Sequence, residues 1–287
     1  MNTDIETKQD GTDELEIGFE EMPSLRLSQG VVETFVSKEV PATHDAEQEL
    51  FDRHEGVPAH EQRGLDARIG LIGGGGLNSW SGIGLARSGA KSITVIDHDL
   101  VDRTNLPRQF FGRDDLGKPK AVVLAAKLAE EAVAGATVTG IALRFEDAIE
   151  KYALPADLFV VGVDNNECRL QVVREARHRK IPAIFTALSK NAMRFYVFHQ
   201  DPSPLEPCLW CALPNLDPES YMPCVSAIIT SCFLASAHTI FFAHRALMGW
   251  GQIPRFNWRE GDLSGIGEDR TGTVKKRADC PVCRDLK

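Results

Sequence analysis

Cysteine is scarce in this chain, which has seven cysteines among 287 residues. So sparse a set excludes a disulfide scaffold, and the odd number, with two Cys-x-x-Cys pairs, indicates a reducing compartment, metal ligation and one working thiol. Internal repeats and low-complexity tracts are also missing. With 43% hydrophobic and 25% charged residues, the composition excludes collagenous and wholly disordered proteins and fits one large α/β domain or two smaller ones.

Positive charge is in deficit, because 32 lysines and arginines face 41 aspartates and glutamates and leave a net charge of −9. This balance argues against a nucleic-acid binder that works through a basic face. The acidic excess is concentrated in residues 1–21, where eight acidic side chains accompany a single lysine, so the rest of the chain is near neutral. We expect residues 1–22 to form a disordered acidic tail, because large apolar residues are few there.

A long uninterrupted hydrophobic run is missing as well. The candidate, 225–243, is long enough to cross a bilayer but contains serine, threonine and histidine and is followed by His244 and Arg245. We therefore predict a buried helix of a globular domain and no membrane association. The acidic N-terminus lacks the basic and apolar segments of a secretory signal, so we expect a cytoplasmic protein.

Strands and helices alternate after Gly64, which predicts a doubly wound, mainly parallel sheet with ligands at the carboxyl ends of its strands. The predicted strands are 68–72, 92–97, 137–144, 157–163, 181–187 and 193–200. The predicted helices are 77–89, 118–134 and 168–180. Before them we predict a small hairpin within 25–40 and a polar helix at 45–54. This divides the chain into the tail at 1–22, an N-terminal extension with a helix at 23–64, and a nucleotide-binding domain at 65–287.

A glycine-rich loop follows the first of these strands and opens a helix. Gly73, Gly75 and Gly76 would let the backbone approach a phosphate closely, and the helix N-terminus adds N–H donors and a favourable dipole, although glycine-rich turns also occur for packing alone. Asp97 lies 24 residues beyond Gly73, at the end of the second strand, close to the ~20-residue offset at which an acid meets ribose hydroxyls. These features alone would favour a dinucleotide-dependent dehydrogenase.

The segment after Asp97 changes this interpretation. Donor side chains stand beyond the ribose corner, where a dehydrogenase needs a neutral slot for nicotinamide; they are Asn105, Arg108, Gln109 and Lys120. Such donors beside a nucleotide loop suit a triphosphate and the charge that develops when an oxygen attacks phosphorus, and a solvated polar loop is the alternative. Asp164 ends a further strand at the same sheet edge, where it could hold Mg²⁺ through the phosphates or cap the following helix.

Five spaced motifs in this order resemble the adenylyltransferases that activate ubiquitin-like proteins, the ThiF/MoeB/HesA group and the ubiquitin-activating enzymes. The motifs are Gly-x-Gly-Gly-Leu, Asp97-x-Asp99, Asn105-Leu-x-Arg-Gln109, Gly117-Lys-Pro-Lys120 and Asp164-Asn165. The resemblance covers roughly residues 51–283 and implies ATP-dependent adenylation of the C-terminal glycine carboxylate of a small β-grasp protein. The expected fold is α/β, a Rossmann-like doubly wound, mainly parallel sheet with a C-terminal antiparallel extension and a zinc site of four cysteines.

The resemblance also implies roles for individual residues. Asp97 would hold the ribose and Asp99 is a further nucleotide-binding residue, while the four donor side chains would position the phosphates and Asp164 would carry the magnesium. Arg53 resembles the arginine that enters the active site of the dimer mate, which implies a homodimer; a surface arginine is the alternative. Asn78 departs from the pattern, because it stands where the family usually has its third glycine, at a point of close helix and strand packing.

Two Cys-x-x-Cys knuckles lie about 70 residues apart; they consist of Cys208, Cys211, Cys280 and Cys283. Four thiolates paired in this way make a closed, structural Zn²⁺ site, with two redox pairs or unrelated thiols as alternatives. Cys224 differs, because it lies between a polar loop and the predicted long helix, where a helix N-terminus lowers the pKa of a thiol. Its position resembles that of the family's acceptor cysteine, and a buried structural thiol is the alternative. Cys232 is interpreted as a core residue.

These residues support hypotheses of different classes. The first is an enzyme that adenylates a ubiquitin-like protein and transfers it to Cys224 as a thioester for conjugation, with a ubiquitin-conjugating-like enzyme as a further partner. A sulfur-carrier adenylyltransferase in a cofactor pathway is a variant of this class. A nicotinamide-dependent dehydrogenase is the alternative from another class, and a catalytically inactive scaffold, indicated by Asn78 alone, is the last.

Overall fold

The computed structural model describes residues 30–37, 50–54, 56, 63–216, 226–249 and 256–285. The predicted tail at 1–22, the first half of the predicted helix at 45–54 and Cys224 lie outside these residues. Within them the chain forms nine strands, seven helices and three short 3₁₀ helices.

The elements are numbered in chain order. The strands are β1 Val32–Val36, β2 Arg68–Ile72, β3 Ser92–Ile96, β4 Thr137–Ile141, β5 Leu158–Val161, β6 Ala183–Leu188, β7 Arg194–Gln200, β8 Trp258–Asp262 and β9 Arg270–Gly272. The helices are α1 Asn78–Arg87, α2 Lys120–Glu131, α3 Phe145–Lys151, α4 Asn166–Arg179, α5 Leu209–Ala212, α6 Ile229–Met248 and α7 Pro281–Asp285. The 3₁₀ helices are Asp52–His54, Arg103–Asn105 and Arg113–Asp115.

All nine described strands belong to one sheet, in the order β1-β4-β3-β2-β5-β6-β7-β8-β9. The five strands from β4 to β6 in this order run parallel. β1 at one end, and β7 to β9 at the other, run antiparallel to their neighbours. The protein therefore has the expected mixed α/β fold, a mostly parallel central sheet with an antiparallel extension.

Apolar residues on both faces of the sheet explain why helices cover it on two sides. β5 is four apolar residues long and every one of them is buried, as in strands covered on both faces. One hydrophobic cluster lies between the sheet and helices α1, α2 and α6, and a second lies between the sheet and helices α3, α4, α5 and α7. The chain winds outward from β2 in one direction to β3 and β4 and in the other to β5 and β6.

The predicted strands and helices of the parallel region are present, and their ends differ by a few residues. The helix predicted at 168–180 begins two residues earlier, because the side chain of Asn165 caps it by accepting the N–H of Cys168 at 2.9 Å. It ends at Lys180, which adopts the left-handed conformation with a φ of 56°. Sequence patterns did not reveal α3, β8 or β9.

The hairpin predicted within 25–40 does not occur in the described residues 30–37, which contribute the single strand β1. Its partner is β4, and the hydroxyls of Thr34 and Thr139 lie 3.1 Å apart across the pair. Alternating apolar residues indicate a strand, but they do not indicate which strand it pairs with. A hairpin pairs a strand with the segment next to it in the sequence, whereas β1 pairs with the distant strand β4. Of the helix predicted at 45–54, the described part contains the 3₁₀ helix Asp52–His54.

The apolar segment predicted as a buried helix at 225–243 corresponds to α6, but the helix begins four residues later, at Ile229, so its N-terminus does not directly follow Cys224 in the sequence as predicted. This helix has 20 residues, packs against α1 and the sheet, and ends at Gly249, which has a φ of 58°. In the described part of the chain, no helix combines the length and the apolar character needed to cross a membrane.

Candidate functional site

A cleft of about 830 Å³ opens at the carboxyl ends of the parallel strands. It lies beside β2 and β5, where the winding of the sheet reverses and where open α/β sheets bind their ligands. The predicted nucleotide residues all line it; they are Gly73, Gly75, Gly76, Asp97, Asp99, Asn105, Arg108, Gln109, Lys120 and Asp164. The structure thus brings together side chains from four separate segments of the sequence.

The glycine loop joins β2 to α1 in a conformation that requires glycine. Gly73 has a φ of +85°, and a Cβ at this position would lie 2.9 Å from Cγ1 of Val163. A Cβ at Gly76 would lie 3.0 Å from the Sγ of Cys232. The loop therefore presents backbone to the cleft, as close contact with phosphate oxygens requires.

Asp97 follows β3 and is fixed by two backbone donors. The N–H of Gly74 donates to its Oδ2 at 2.6 Å, and the N–H of Asp99 donates to its Oδ1 at 2.7 Å. Burial raises the pKa of this carboxyl, and the charge of Lys120 opposes the rise. These contacts hold an acceptor beside the glycine loop, where a ribose hydroxyl can donate to it.

Lys120 begins α2 and is a buried cation on the wall of the cleft, 7% exposed. Its Nζ lies 2.8 Å from Oδ2 of Asp99. Burial alone would raise the pKa of the Asp99 carboxyl, but the hydrogen bond and the charge of Lys120 bring it below its ordinary value. A nearly dehydrated ammonium of this kind interacts strongly with phosphate oxygens.

The predicted donors after Asp99 lie on and beside the 3₁₀ helix Arg103–Asn105. Asn105 is buried and accepts the N–H of Asp102 at 2.9 Å, which closes a capping box with that residue. Arg108 follows, and its guanidinium donates to the carbonyl of Thr104. Gln109 is 6% exposed, and its Oε1 is buried with no hydrogen-bond partner in the described structure. An unsatisfied polar atom on a cleft wall is a feature of a site built for a polar ligand.

Asp164 follows β5 and lies exposed on the cleft wall. The alternative role as helix cap is taken by Asn165, so the carboxylate of Asp164 is not used in capping α4. Arg169 fixes this segment, because its guanidinium donates to the carbonyl of Val163 at 2.5 Å and to Oδ1 of Asn166 at 2.6 Å. A carboxylate held at this sheet edge suits a Mg²⁺ ion bridging to phosphates.

Residues that sequence reasoning did not place at the site complete the cleft. They include Cys168, Arg169, Tyr196, the turn 213–216 and Cys232. Cys232 is buried, as predicted for a core residue, and it also lines the cleft. The sequence does carry a signal for Arg169. Arg169 lies four residues after the helix cap Asn165, about one helical turn, and is therefore on the same face of α4 as this cleft residue. Tyr196 and the turn 213–216 carry no local signal of this kind.

The ThiF family model matches residues 52–280, a range that holds every described element from the 3₁₀ helix Asp52–His54 to β9. The chain belongs to the ThiF family. Over 105 residues it is 40% identical to the NEDD8-activating enzyme E1 catalytic subunit of Dictyostelium discoideum, covering 36% of this chain and 24% of that protein. Over 240 residues it is 27% identical to the sulfur carrier protein adenylyltransferase of Thermus thermophilus, covering 79% of this chain and 86% of that protein.

The fold is also that of a solved structure, E. coli MccB with ATP. The TM-score is 0.61 at 20% sequence identity, over 82% of this chain and 68% of that one. The match spans about a quarter of the length of the NEDD8-activating relatives. Together these matches place the chain in the ThiF family, among relatives that include NEDD8-activating enzyme subunits and a sulfur carrier protein adenylyltransferase.

Two predicted residues of this ThiF-family chain do not appear in the cleft. Arg53 is exposed and does not line it, while the adjacent Phe51 is buried and anchors the segment to the body of the protein. Cys224 lies outside the described residues. Leu216 and Ala227, described residues on either side of it in the sequence, line the cleft.

The four cysteines of the predicted metal site come together, and none of them lines the cleft. The Sγ atom of Cys208 lies 4.0 Å from that of Cys211 and 3.6 Å from that of Cys280, and the Sγ atoms of Cys211 and Cys283 lie 3.5 Å apart. All four thiols are buried and none forms a disulfide. Tetrahedral Zn–S bonds of ~2.3 Å place sulfurs about 3.8 Å apart, so the cluster fits Zn²⁺. The N–H of Arg277, 3.4 Å from Sγ of Cys211, is a donor of the kind that stabilises a metal-bound thiolate.

Proposed function

We propose that this protein uses ATP to adenylate the C-terminal carboxylate of a ubiquitin-like β-grasp protein that ends in glycine. The observation that carries the proposal is that Lys120, Gln109 and Asp164 line the same cleft as a glycine loop that exposes its backbone. The family match favours adenylation over the hydride transfer of a dehydrogenase. The intact loop gives no support to an inactive scaffold, because Gly73 keeps its positive φ and Gly74 its bond to Asp97.

In the proposed first step, an oxygen of the incoming carboxylate attacks the α-phosphorus of ATP, and the bond to the bridging oxygen of pyrophosphate breaks. The glycine loop and the N-terminus of α1 bind the phosphates, and Asp97 accepts from the ribose. Lys120 and Arg108 offset the negative charge that develops on the phosphate oxygens. Mg²⁺ held by Asp164 would supply further charge neutralisation on the phosphates and on the departing pyrophosphate.

In the proposed second step, the thiolate of Cys224 attacks the carbonyl carbon of the acyl-adenylate, AMP leaves, and a thioester forms. This assignment is supported by the resemblance of Cys224 to the family's acceptor cysteine and by its place in the sequence between Leu216 and Ala227, which line the cleft. The two cysteines that line the cleft are poor nucleophiles, because burial raises the pKa of Cys232 to about 11 and that of Cys168 to about 12. A ubiquitin-conjugating-like enzyme would then receive the activated protein.

Two further assignments belong to the same proposal. Zn²⁺ would be held by the four clustered thiolates and would have a structural role, since all of its positions would be filled by sulfur. Arg53 would act in the cleft of a second copy of the chain in a homodimer, which its exposed position allows.

Sulfur-carrier activation is the second candidate, and a specific observation favours it. The Thermus thermophilus sulfur carrier protein adenylyltransferase is matched over 86% of its length. In this case a sulfur donor would attack the acyl-adenylate, AMP would leave, and the carrier would end in a thiocarboxylate. Adenylation is common to both candidates, whereas the thioester on Cys224 belongs to the first.

The proposal is tested by exchange of labelled pyrophosphate into ATP in the presence of a ubiquitin-like protein that ends in glycine. We expect exchange that requires Mg²⁺ and that disappears when the carrier lacks its final glycine. Absence of exchange together with binding of a nicotinamide nucleotide would refute adenylation.

The second step is tested by trapping a carrier conjugate that reducing agents cleave. With Cys224→Ala the conjugate should disappear while exchange continues, and Cys232→Ala should retain both. A conjugate that survives Cys224→Ala rejects Cys224 as the acceptor, and a thiocarboxylate formed without any conjugate favours the sulfur-carrier candidate.

A further inference from the structure

Asn78 occupies the first position of α1, directly after the glycine loop, and is fully buried. Its Nδ2 donates to two main-chain carbonyls, that of Ile72 at 2.8 Å and that of Val160 at 3.2 Å. These carbonyls belong to the neighbouring parallel strands β2 and β5. The side-chain amide therefore links two strands that the sequence separates by more than one crossover.

The two linked strands lead to two neighbouring segments that line the cleft. β2 continues directly into the glycine loop at Gly73, and β5 continues through Gly162 to Asp164. The N–H of Gly162 donates to the carbonyl of Ile72 at 3.0 Å, so this carbonyl accepts from both Asn78 and the β5 segment. The amide thus connects the segment that leads into the phosphate loop with the segment that leads to the proposed magnesium ligand.

Gly162 provides the room that Asn78 needs. A Cβ at Gly162 would lie 2.7 Å from both Cγ and Oδ1 of Asn78. A side chain larger than glycine at position 78 is therefore accommodated because the facing strand has glycine at 162. The departure of Asn78 from the family pattern and the glycine directly after β5 form a matched pair.

We propose that Asn78 is a positioning residue, which sets the spacing between the phosphate loop and Asp164 and through it the affinity for magnesium-bound ATP. This inference rests on the proposed use of ATP and Mg²⁺ in the cleft. Asn78 acts through its neighbours, because it is not among the residues that line the cleft. The role requires an amide, since a carboxylate of the same size presents acceptors to two carbonyl acceptors.

Replacement of Asn78 by glycine separates this role from folding. The Oδ1 of Asn78 is buried without a hydrogen-bond partner in the described structure. Asn78→Gly removes that unsatisfied acceptor along with the two donated bonds, so the loss in stability is partly offset. Ser81→Ala is the matched control, because Ser81 is buried on the same helix and donates to the carbonyl of Leu77 at 3.1 Å without reaching β5.

The experiment measures ATP binding to the full chain by calorimetry, with Mg²⁺ and with EDTA. We expect Asn78→Gly to weaken binding of ATP about tenfold in Mg²⁺ and less than about twofold in EDTA, because the change loosens the phosphate-loop segment relative to the segment that carries Asp164. Ser81→Ala should leave both affinities near wild type. Unchanged affinity of Asn78→Gly in Mg²⁺ would overturn the inference, as would an equal loss with and without the metal, which would indicate a structural role.

A double substitution tests the matched pair. Gly162→Ala should weaken binding in Mg²⁺, because the added methyl group displaces the amide, and Asn78→Gly combined with Gly162→Ala should bind more tightly than Gly162→Ala alone. Additive losses would contradict the pairing. Wild-type protein that binds no ATP rejects the proposed function and this inference together. Wild-type protein that binds magnesium-ATP but catalyses no exchange rejects adenylation and leaves the role of Asn78 standing.

Discussion

Lys120 illustrates how much of the proposed chemistry depends on a single side chain. Lys120→Ala removes the buried cation that would offset charge at the phosphates, and it leaves the carboxylate of Asp99 without its partner at 2.8 Å. We expect pyrophosphate exchange to fall at least about 100-fold. Lys127→Ala is the control, because Lys127 lies on the same helix, is paired with Asp115 at 3.0 Å, and does not line the cleft. If Lys120→Ala exchanges pyrophosphate at the wild-type rate, Lys120 has no role in the proposed mechanism.

His199, on β7, makes stability depend on pH. Burial lowers the pKa of this side chain below its ordinary value of 6.5, and its Nε2 has no hydrogen-bond partner in the described structure. The unfolded chain therefore takes up a proton at a higher pH than the folded chain does. The free energy of unfolding should fall as the pH drops below about 6.5 toward the lowered folded-state pKa.

Chemical denaturation at several pH values between 7.5 and 5.5 measures this dependence. His199→Gln should lose less stability over this interval than the wild type, because glutamine does not titrate. His178→Gln, a change at an exposed position of α4, should keep the wild-type slope. If the free energy of unfolding falls equally with pH in the wild type and in His199→Gln, groups other than His199 cause the loss of stability in acid.

The sequence located part of the site because certain residue types mark the ends of strands. Gly73 and Asp97 follow apolar strands directly, so topology alone places them at one edge of the sheet. Tyr196 could not be found in this way, since it reaches the cleft from β7, whose position depends on packing across the whole molecule. The role of Asn165 as the cap in place of Asp164 depends on where α4 begins, and sequence patterns fix such boundaries poorly.

At the scale of elements, the cysteine cluster stabilises two helices that are too short to be stable alone. α5 has four residues and α7 has five, and helices of this length are unstable alone. The cluster lies next to the turn 213–216 that lines the cleft, since the indole N–H of Trp210 donates to the carbonyl of Leu216 at 3.1 Å. A metal at the cluster would thus support both the end of the chain and one wall of the cleft.

Cys280→Ser should reduce bound zinc from one ion per chain to none and lower the free energy of unfolding by several kcal/mol, on the order expected for a structural metal. Metal analysis and thermal unfolding measure the two effects. Cys168→Ser is the control, because Cys168 lies outside the cluster and should keep the metal. If the Cys280→Ser protein keeps its full metal content and its stability, the assignment of zinc to the cluster is wrong.

The antiparallel extension shows why some elements escape prediction. β9 has three residues, Arg270–Gly272, none of them buried, and β8 alternates poorly between apolar and polar side chains. These strands are held by main-chain hydrogen bonds to their neighbours, and they carry little apolar periodicity for a sequence pattern to detect. β5, in contrast, was evident because all four of its residues are apolar and buried.

At the scale of the whole molecule, the position of Arg53 allows a test of the predicted homodimer. Arg53→Ala and Lys120→Ala should each be nearly inactive in pyrophosphate exchange. If Arg53 enters the cleft of the partner subunit, mixing the two variants should restore activity, because a mixed dimer contains one cleft with both residues. Mixing without any gain in activity would place the role of Arg53 within its own subunit or reject it.

The pairing of β1 with β4 has a consequence for biosynthesis. Thr34 contacts Thr139, 105 residues further along the chain, so at about 5–20 residues per second a ribosome takes roughly 5 to 20 seconds to supply the partner strand. β1 is made first among the described strands but cannot join the sheet until β2, β3 and β4 exist. During that interval the nascent chain carries an unpaired strand. In a variant that lacks residues 1–37, β4 would be an edge strand with main-chain groups free to pair with other chains.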